Sequence, residues 1–207
     1  ALVAAGVMTA DDAIRTVRER GILMQEAVPA GVGGMSAVLG MTADEINAVV
    51  DEIPNVQVAN YNCPGQIVIS GLKEAVETAA VKLKEAGARR VIPLNVSGPF
   101  HSYLLEEAGE KLGRFLENIP VSEPVIPYVA NVTAAYVTKA EDVKPLLTRQ
   151  VSSSVRWQQS VETMLADGVD RFIEIGPGKT LAGFIRKINR EATVINIEKF
   201  EDLEKLN

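Results

Sequence analysis

Residues 33–96 carry the feature that most restricts what this chain can fold into, because strand-like and helical segments follow one another there as β-α-β-β-α-β. The apolar and β-branched runs predict strands at 35–39, 56–62, 66–71 and 89–96, and the helical patterns cover 42–53 and 73–86. Between the two middle strands, Cys63, Pro64 and Gly65 have the composition of a hairpin turn. This order is that of the ferredoxin-like unit, which closes on itself and can pack its own two-layer core. The sequence therefore predicts a ferredoxin-like subdomain over 32–96.

The segments on either side of this unit alternate between helices and strands once more. The predicted helices are 10–28, 101–119, 141–151, 158–166 and 179–189, and the predicted strands are 125–132, 171–176 and 193–198. Such alternation is typical of a parallel α/β sheet. We therefore expect an α/β body, made of residues 1–31 and 97–207, into which the subdomain is inserted. A charged tail from Lys199 to Asn207 ends the chain.

The first residues, ALVAAGVMTADDAIR, place apolar side chains before any capping residue. Helices normally begin after Ser, Thr, Asp or Asn, so residues 1–5 resemble the end of a helix that starts elsewhere. We expect the chain to be a piece of a longer protein, and we expect the α/β body to be incomplete at its N-terminus.

The composition argues against several classes of protein. Apolar residues make up 47% and charged residues 23%, which is the balance of a globular protein with a core, and no apolar run approaches the roughly 18 residues needed to cross a membrane. One cysteine and one histidine argue against a disulfide framework and against a zinc site. A net charge of -6 argues against a nucleic-acid surface. Because no signal peptide is recognisable, we expect a cytoplasmic protein. We also expect a protein without a metal or cofactor.

Two polar side chains fall on apolar helix faces. At about 100° per residue, Arg20 lies on the same side of its helix as Val17 and Met24. It is explained either by a structural ion pair or snorkelling stem, which spacing alone favours, or by bidentate binding of a ligand carboxylate. Gln150 similarly falls on the face of Leu147, where a core-edge glutamine bonded to backbone is the usual outcome.

His101 is the only histidine, and the pattern places it at the opening of a predicted helix after a strand and a short loop. A helix N-terminus disfavours the imidazolium, so the side chain would be neutral at pH 7 and able to act as a base. A capping or surface histidine explains the pattern equally well. A Cys63–His101 dyad is conceivable, but nothing near Cys63 in sequence would activate the thiol, which favours a simple turn residue.

Two further motifs are less specific. The run Gly176, Pro177, Gly178 and Lys179 lies between a strand and a helix, where phosphates often bind, but it lacks the GxxxxGK[ST] spacing and is explained by a tight turn. Asn60 and Asn62 alternate onto one side of a strand, where they border a cleft or mark an exposed sheet edge.

Five blocks, in order along the chain, resemble the malonyl-CoA:acyl carrier protein transacylases. They are ALVAAGVMTADDAIRTVRERGILMQEAVPAGVGGM, VANYNCPGQIVISG, VIPLNVSGPFHS, LLTRQVSSSVRWQQSV and FIEIGPGKTLAGFIRKI. The resemblance covers essentially the whole chain and implies an α/β-hydrolase-like body with a ferredoxin-like subdomain. It also implies a ping-pong reaction in fatty-acid biosynthesis. A serine in a GxSxG elbow takes malonyl from coenzyme A and passes it to the phosphopantetheine thiol of acyl carrier protein.

The resemblance also implies roles for four residues. His101 matches the catalytic base, and Arg20 matches the arginine that pairs with the malonyl carboxylate. Gln150 matches a glutamine whose backbone carbonyl orients the histidine in place of a triad acid. Phe100 stands where a phenylalanine goes with malonyl and a serine with methylmalonyl, because a ring leaves no room for the extra methyl group.

The chain departs from the family pattern in one respect, because no GxSxG occurs in its 207 residues. The family carries this elbow immediately before the segment that corresponds to the start of this chain. We therefore expect the chain alone to be inactive. We also expect the complete enzyme to be a monomer. Two alternatives remain: an acyltransferase domain of a polyketide or fatty-acid synthase, and a non-catalytic binding module.

Overall fold

A computed structural model describes residues 1–96 and 98–206 of the chain. The helices are α1 (Ala10–Ala27), α2 (Ala43–Val50), α3 (Lys73–Glu85), α4 (Glu106–Leu116), α5 (Ala140–Gln150), α6 (Trp157–Ala166) and α7 (Thr180–Ile188). The strands are β1 (Gly33–Leu39), β2 (Val56–Cys63), β3 (Gln66–Leu72), β4 (Arg90–Pro93), β5 (Tyr128–Ala130), β6 (Ala135–Val137), β7 (Arg171–Ile175) and β8 (Thr193–Ile197). Short 3-10 segments cover Tyr103–Leu105 and Phe200–Leu206. The predicted α/β class is confirmed.

Local capping interactions fix the starts of the first two helices where the sequence places them. The Thr9 side chain accepts a hydrogen bond from the backbone N–H of Asp12 at the start of α1. At the start of α2, Thr42 and Glu45 form a reciprocal capping box, in which each side chain accepts from the other's backbone N–H. Such caps satisfy backbone donors that have no partner inside the helix.

Strands β1 to β4 form one antiparallel sheet in the order β2-β3-β1-β4. Helices α2 and α3 supply the other half of its core. The members of that core with 0% exposure are Val38, Ile46, Ile69, Ala79 and Leu83. The alternating apolar positions of the strands and the periodic positions of the helices therefore meet in one hydrophobic layer, which makes the sheet a firm support for the segments attached to its edge.

The remaining described residues form a second set of packed elements. Helices α1, α4 and α5 share a core that includes Met24, Leu112 and Val151, while β7 and β8 pair in parallel beside α7. The first half of α1 behaves differently, since Ile14 and Val17 are 67% and 68% exposed. The predicted apolar face of α1 is thus buried only toward its C-terminal end. Within the described residues, every helix is too short or too polar to cross a lipid bilayer.

Two short segments outside the four-stranded sheet have structures that the sequence did not indicate. The strand predicted over 125–132 is reduced to β5, because the chain turns back after Ala130 and pairs as the unpredicted hairpin strand β6. The charged tail is ordered as a 3-10 segment, because the Asp202 carboxylate accepts from the backbone N–H groups of Glu198 and Lys199 and pairs with Lys205 at 2.6 Å.

One edge of the four-stranded sheet is joined to the rest of the molecule through β2. The Val155 N–H donates to the Ala59 carbonyl at 2.7 Å, and the Tyr61 N–H donates to the Val155 carbonyl at 2.9 Å. The Ser154 hydroxyl also donates to the Val58 carbonyl. The loop that follows α5 is therefore bonded directly to the sheet, and this loop adjoins Gln150.

Candidate active site

His101 lies in a turn, not at the opening of a helix. Its backbone is left-handed, with φ of 57°, and the chain passes through the Tyr103–Leu105 segment before α4 begins at Glu106. The prediction that a helix opens at His101 is wrong, and so is the inference that a helix N-terminus keeps the imidazole neutral. A left-handed backbone is uncommon outside glycine and persists only where surrounding contacts hold it.

The imidazole of His101 is bonded to the carbonyl at the end of α5. Nδ1 lies 3.1 Å from the backbone oxygen of Gln150. A carbonyl oxygen only accepts, so Nδ1 carries the proton and Nε2 is left with a free lone pair. Burial lowers the pKa of His101 below its ordinary value, and the positive charge of Arg20 lowers the pKa further, while the backbone groups of Gln150 and Ser153 oppose this shift. The geometry therefore provides a neutral imidazole able to accept a proton at Nε2.

A cavity of about 460 Å³ brings His101 together with other side chains that the sequence singled out. It is lined by Arg20 from α1, by Asn60 from β2, and by Phe100 and His101 from the loop that follows β4. The buried Met35 of β1 also lines it. Leu94 and Val96 complete an apolar wall. The cavity thus combines one cation, one base and a largely apolar lining, which is the usual make-up of a small-molecule site.

Arg20 is half-buried, and burial lowers the pKa of its guanidinium. None of the four ion pairs found within residues 1–96 and 98–206 includes it. The structural ion pair is therefore not formed with any described carboxylate, which leaves the snorkelling stem and ligand binding as the two explanations. A partly desolvated cation without an anionic partner is costly, and it lies where a ligand carboxylate could pair with it.

Phe100 belongs both to the core and to the cavity. Its ring packs against the cluster of Leu105 and Leu112 and against the cluster of Met35 and Ala59, and it also lines the cavity beside His101. The structure is therefore compatible with a ring that anchors the loop and with one that limits the space for an acyl group.

Gln150 contributes its backbone to the site, whereas its side chain turns elsewhere. Its Nε2 donates to the Ser153 carbonyl at 3.2 Å and so closes the end of α5. This side-chain bond is the backbone contact that the helical face predicts for a core-edge glutamine. Among the described residues that line the cavity, Gln150 is not included.

The other singled-out residues lie apart from His101. Cys63 is fully buried, burial raises the pKa of its thiol, and it does not line the cavity. The turn at 176–179 is occupied by carboxylates: Glu174 accepts from the N–H groups of Leu181 and Ala182, and Glu198 accepts from Gly178. No phosphate is needed to explain that turn. Asn60 reaches the cavity, but Asn62 does not.

Sequence reasoning missed Gln57, which holds the turn that carries His101. Its Nε2 donates to the His101 carbonyl at 3.2 Å, and its Oε1 accepts from the Tyr103 N–H at 3.0 Å. These partners are 44 and 46 residues away along the chain. A glutamine inside the strand VQVANYN carries no local signal for such a role. Within the described residues, no group of three or more His, Cys, Asp or Glu side chains could hold a metal ion.

The chain is similar throughout to known acyltransferases. Residues 1–201 match the acyl transferase domain family. The malonyl CoA-acyl carrier protein transacylases of Bacillus subtilis and Staphylococcus aureus are 48% and 42% identical to it, over 99% and 100% of this chain and 66% and 68% of their own lengths. This chain therefore spans about two thirds of the length of these relatives.

Solved structures give the same result. An acyl carrier protein S-malonyltransferase from Vibrio cholerae superposes with a TM-score of 0.97 at 41% identity, covering 100% of this chain and 69% of that one. A malonyl-transacylase in complex with its type II PKS acyl-carrier protein superposes with a TM-score of 0.96 at 40% identity, covering 99% and 67%. The chain therefore belongs to the acyl transferase domain family, among the malonyl CoA-acyl carrier protein transacylases.

Proposed function

We propose that this chain forms the substrate-binding and base-bearing part of an enzyme that transfers malonyl from coenzyme A to the phosphopantetheine thiol of acyl carrier protein. The observation that supports this most directly is the shared cavity. There Arg20, a cation without an ion-pair partner among residues 1–96 and 98–206, faces the same space as a neutral imidazole, His101. Family membership supplies the substrate class, and the cavity supplies groups of matching chemistry.

His101 acts in this proposal as the general base of both half-reactions. A serine oxygen bonds to the thioester carbonyl carbon while Nε2 takes the hydroxyl proton, then the C–S bond breaks and coenzyme A leaves as a thiol with that proton. In the second half-reaction the phosphopantetheine thiol gives its proton to Nε2, and its sulfur displaces the serine oxygen, which takes the proton back. The Gln150 carbonyl supports this role, because it fixes the proton on Nδ1.

The serine is the component that the 207 residues do not contain, since no GxSxG occurs among them. We place the nucleophile outside these residues. The transfer then depends on a serine-bearing segment that meets the cavity beside His101. Cys63 does not replace it, because the thiol is buried away from the cavity and its pKa is raised by burial.

Arg20 binds the distal carboxylate of malonyl in this proposal. A planar guanidinium matches a carboxylate with two parallel hydrogen bonds, and a site with an apolar wall strengthens them. The absence of a described carboxylate partner for Arg20 supports the assignment. Phe100 acts beside it as the limit on substitution at the α-carbon, because its ring lines the same cavity.

The finer organisation of the fold belongs to the same proposal. Residues 32–96 form a ferredoxin-like subdomain inserted into an α/β-hydrolase-like body of residues 1–31 and 97–207. The antiparallel order β2-β3-β1-β4 and the parallel β7–β8 pair support that division. We further propose a cytoplasmic enzyme, since a single buried cysteine suits a reducing compartment. We also propose that the complete enzyme is a monomer.

The proposal is tested with a fused enzyme, in which these 207 residues follow the part of the Bacillus subtilis relative that precedes the matched region. Malonyl transfer from coenzyme A to acyl carrier protein is measured for the fused enzyme and for its His101→Asn variant. Asparagine tolerates a left-handed backbone, so the variant removes the base without adding strain. Loss of a general base lowers kcat about 10²- to 10⁴-fold. Transfer that persists at an unchanged acylation rate contradicts the proposal, and absent transfer in the folded fused enzyme favours a binding module.

A further inference from the structure

Gln57 is the point at which the four-stranded sheet holds the turn that carries His101. Its side chain is half-buried, and its amide makes three contacts with backbone groups of two different loops. Nε2 lies 3.2 Å from the His101 carbonyl and 3.5 Å from the Ser152 carbonyl, and Oε1 accepts from the Tyr103 N–H at 3.0 Å. One amide therefore satisfies both sides of the turn and also reaches the segment that follows Gln150.

These contacts fall where the backbone most needs support. His101 has φ of 57°, a conformation that a side chain with a Cβ adopts only when its surroundings fix it. The carbonyl of the same residue is the acceptor for Gln57, and the N–H of Tyr103 closes the turn on the other side. Removing the amide leaves a donor and an acceptor unpaired and frees the strained residue to relax.

Gln57 also influences both partners of the hydrogen bond between His101 Nδ1 and the Gln150 carbonyl. His101 lies on one loop and the Gln150 carbonyl at the end of another helix, 49 positions apart, so neither loop alone sets their distance. Gln57 bonds to the first loop and approaches Ser152 on the second, while Ser154 donates to Val58 on the same strand. A strand within a paired sheet is a more rigid reference than either loop.

We propose that Gln57 is the positioning residue of His101: its amide holds the histidine turn and the loop after Gln150 together, so that Nδ1 stays bonded and Nε2 stays the free base. This rests on the proposed function, in which His101 is the base. In this proposal Gln57 acts through the histidine turn, since it is not among the described residues that line the cavity.

The first test reads the imidazole directly. The chain has one histidine, so the ¹⁵N resonances of its ring are unambiguous in the 207-residue protein. Gln57→Met keeps the length of the side chain and removes its hydrogen bonds. We expect the unchanged chain to show one tautomer with the proton on Nδ1, and Gln57→Met to show a mixture of both. Gln158→Met is the matched control, since among the described residues the Gln158 side chain bonds to Glu162 within the same helix, α6.

The second test measures kinetics in the fused enzyme. A misplaced base affects the chemical step more than binding, so Gln57→Met should lower kcat about 10- to 100-fold while KM changes about twofold or less. Gln57→Glu serves as the second variant, because its carboxylate still accepts from the Tyr103 N–H but cannot donate to His101 when ionised. It should show the same tautomer mixture and a kcat lowered as in Gln57→Met.

The outcomes separate the alternatives. An unchanged tautomer and unchanged kcat in a folded Gln57→Met overturn the positioning role. Loss of the folded state in both Gln57→Met and Gln57→Glu also overturns it, since Gln57 is then needed for the fold itself. If the tautomer changes as expected but the fused enzyme transfers no malonyl in any form, the positioning of His101 stands and the proposed function fails.

Discussion

Replacing Arg20 by methionine separates a substrate-binding arginine from a structural one. Methionine keeps an unbranched stem that packs beside Met24 and loses only the charged fork. If Arg20 is held unpaired for a ligand carboxylate, the substitution should weaken malonyl recognition and at the same time stabilise the fold. A structural arginine predicts the opposite effect on stability, because its loss would leave a partner unsatisfied.

The two magnitudes follow from the environment of the side chain. A charge-assisted bond between guanidinium and carboxylate contributes about 1.5–3 kcal/mol, which corresponds to a loss of malonyl over acetyl preference of about tenfold to over a hundredfold. The gain in stability is smaller, about 0.5–1 kcal/mol, because Arg20 is only half-buried and water screens part of its cost. For a chain of this size that is a rise in Tm of about 1–4 °C.

The assay compares kcat/KM for malonyl-CoA and acetyl-CoA in the fused enzyme, and thermal unfolding in the 207-residue chain. Acetyl has no distal carboxylate, so its use should gain relative to malonyl. Arg18→Met is the control, since Arg18 lies exposed on the same helix. A fixed malonyl-to-acetyl ratio combined with a lower Tm would refute the reasoning and assign Arg20 to the fold.

The remaining predictions address the base, the nucleophile, the acyl pocket and one close backbone contact. The folded pKa of His101 lies below the unfolded value of about 6.5, so between those values the unfolded chain binds more protons and the free energy of unfolding falls as the pH falls. Urea titrations should show that this pH dependence vanishes in His101→Asn, and an unchanged pH dependence would contradict the prediction. The 207-residue chain alone should transfer no radiolabelled malonyl to acyl carrier protein, and enzyme-like turnover would instead point to Cys63. In the fused enzyme, Phe100→Ser should raise methylmalonyl-CoA use relative to malonyl-CoA about tenfold to over a hundredfold. If instead the variant loses activity on both substrates together with thermal stability, Phe100 serves as a core residue and does not select the acyl group. A Cβ on Gly33 would meet the ring of Pro99, two residues before His101, whereas one on Gly34 meets Lys73 at an ordinary 3.6 Å; Gly33→Ala should therefore disturb the His101 ring resonances and Gly34→Ala should not.

The four-stranded sheet could be predicted because its determinants are local. Thr42 and Glu45 cap α2 from three residues apart, and a Cys-Pro-Gly turn leads directly from β2 into β3. Strand pairing then follows from the order of elements, since few topologies bury both helices and the apolar strand positions together. The β5–β6 hairpin could not be predicted, because its sequence carries few local determinants. Its strands are three residues long, and the left-handed Ala134 at their turn is not a residue that predicts one.

The site could be predicted only where a residue conflicts with its own helix. Arg20 is conspicuous because a charge falls among apolar positions at helical spacing, and the cavity explains the conflict. The conformation of His101 has no such signal, and the local pattern predicts a helix start in its place. Propensity is a weak determinant there, because contacts from elsewhere in the chain outweigh it.

The left-handed turn at His101 shows why those contacts cannot be found along the sequence. Its supports are the Gln57 amide and the Gln150 carbonyl, which come from a sheet strand and from the end of a helix on opposite sides of it in the chain. Each is an ordinary feature of its own element, since a polar side chain such as Gln57 is common on a strand with one exposed face and helices end in unpaired carbonyls. The two meet at His101 only when the β2 edge bonds to the loop at 153–155, so that the Gln57 amide reaches its backbone carbonyl and the Gln150 carbonyl reaches its imidazole. The position of the proposed base is therefore set by the packing between the sheet and the helical elements, and a substitution that loosens that junction should impair His101 even where it touches neither the histidine nor the cavity.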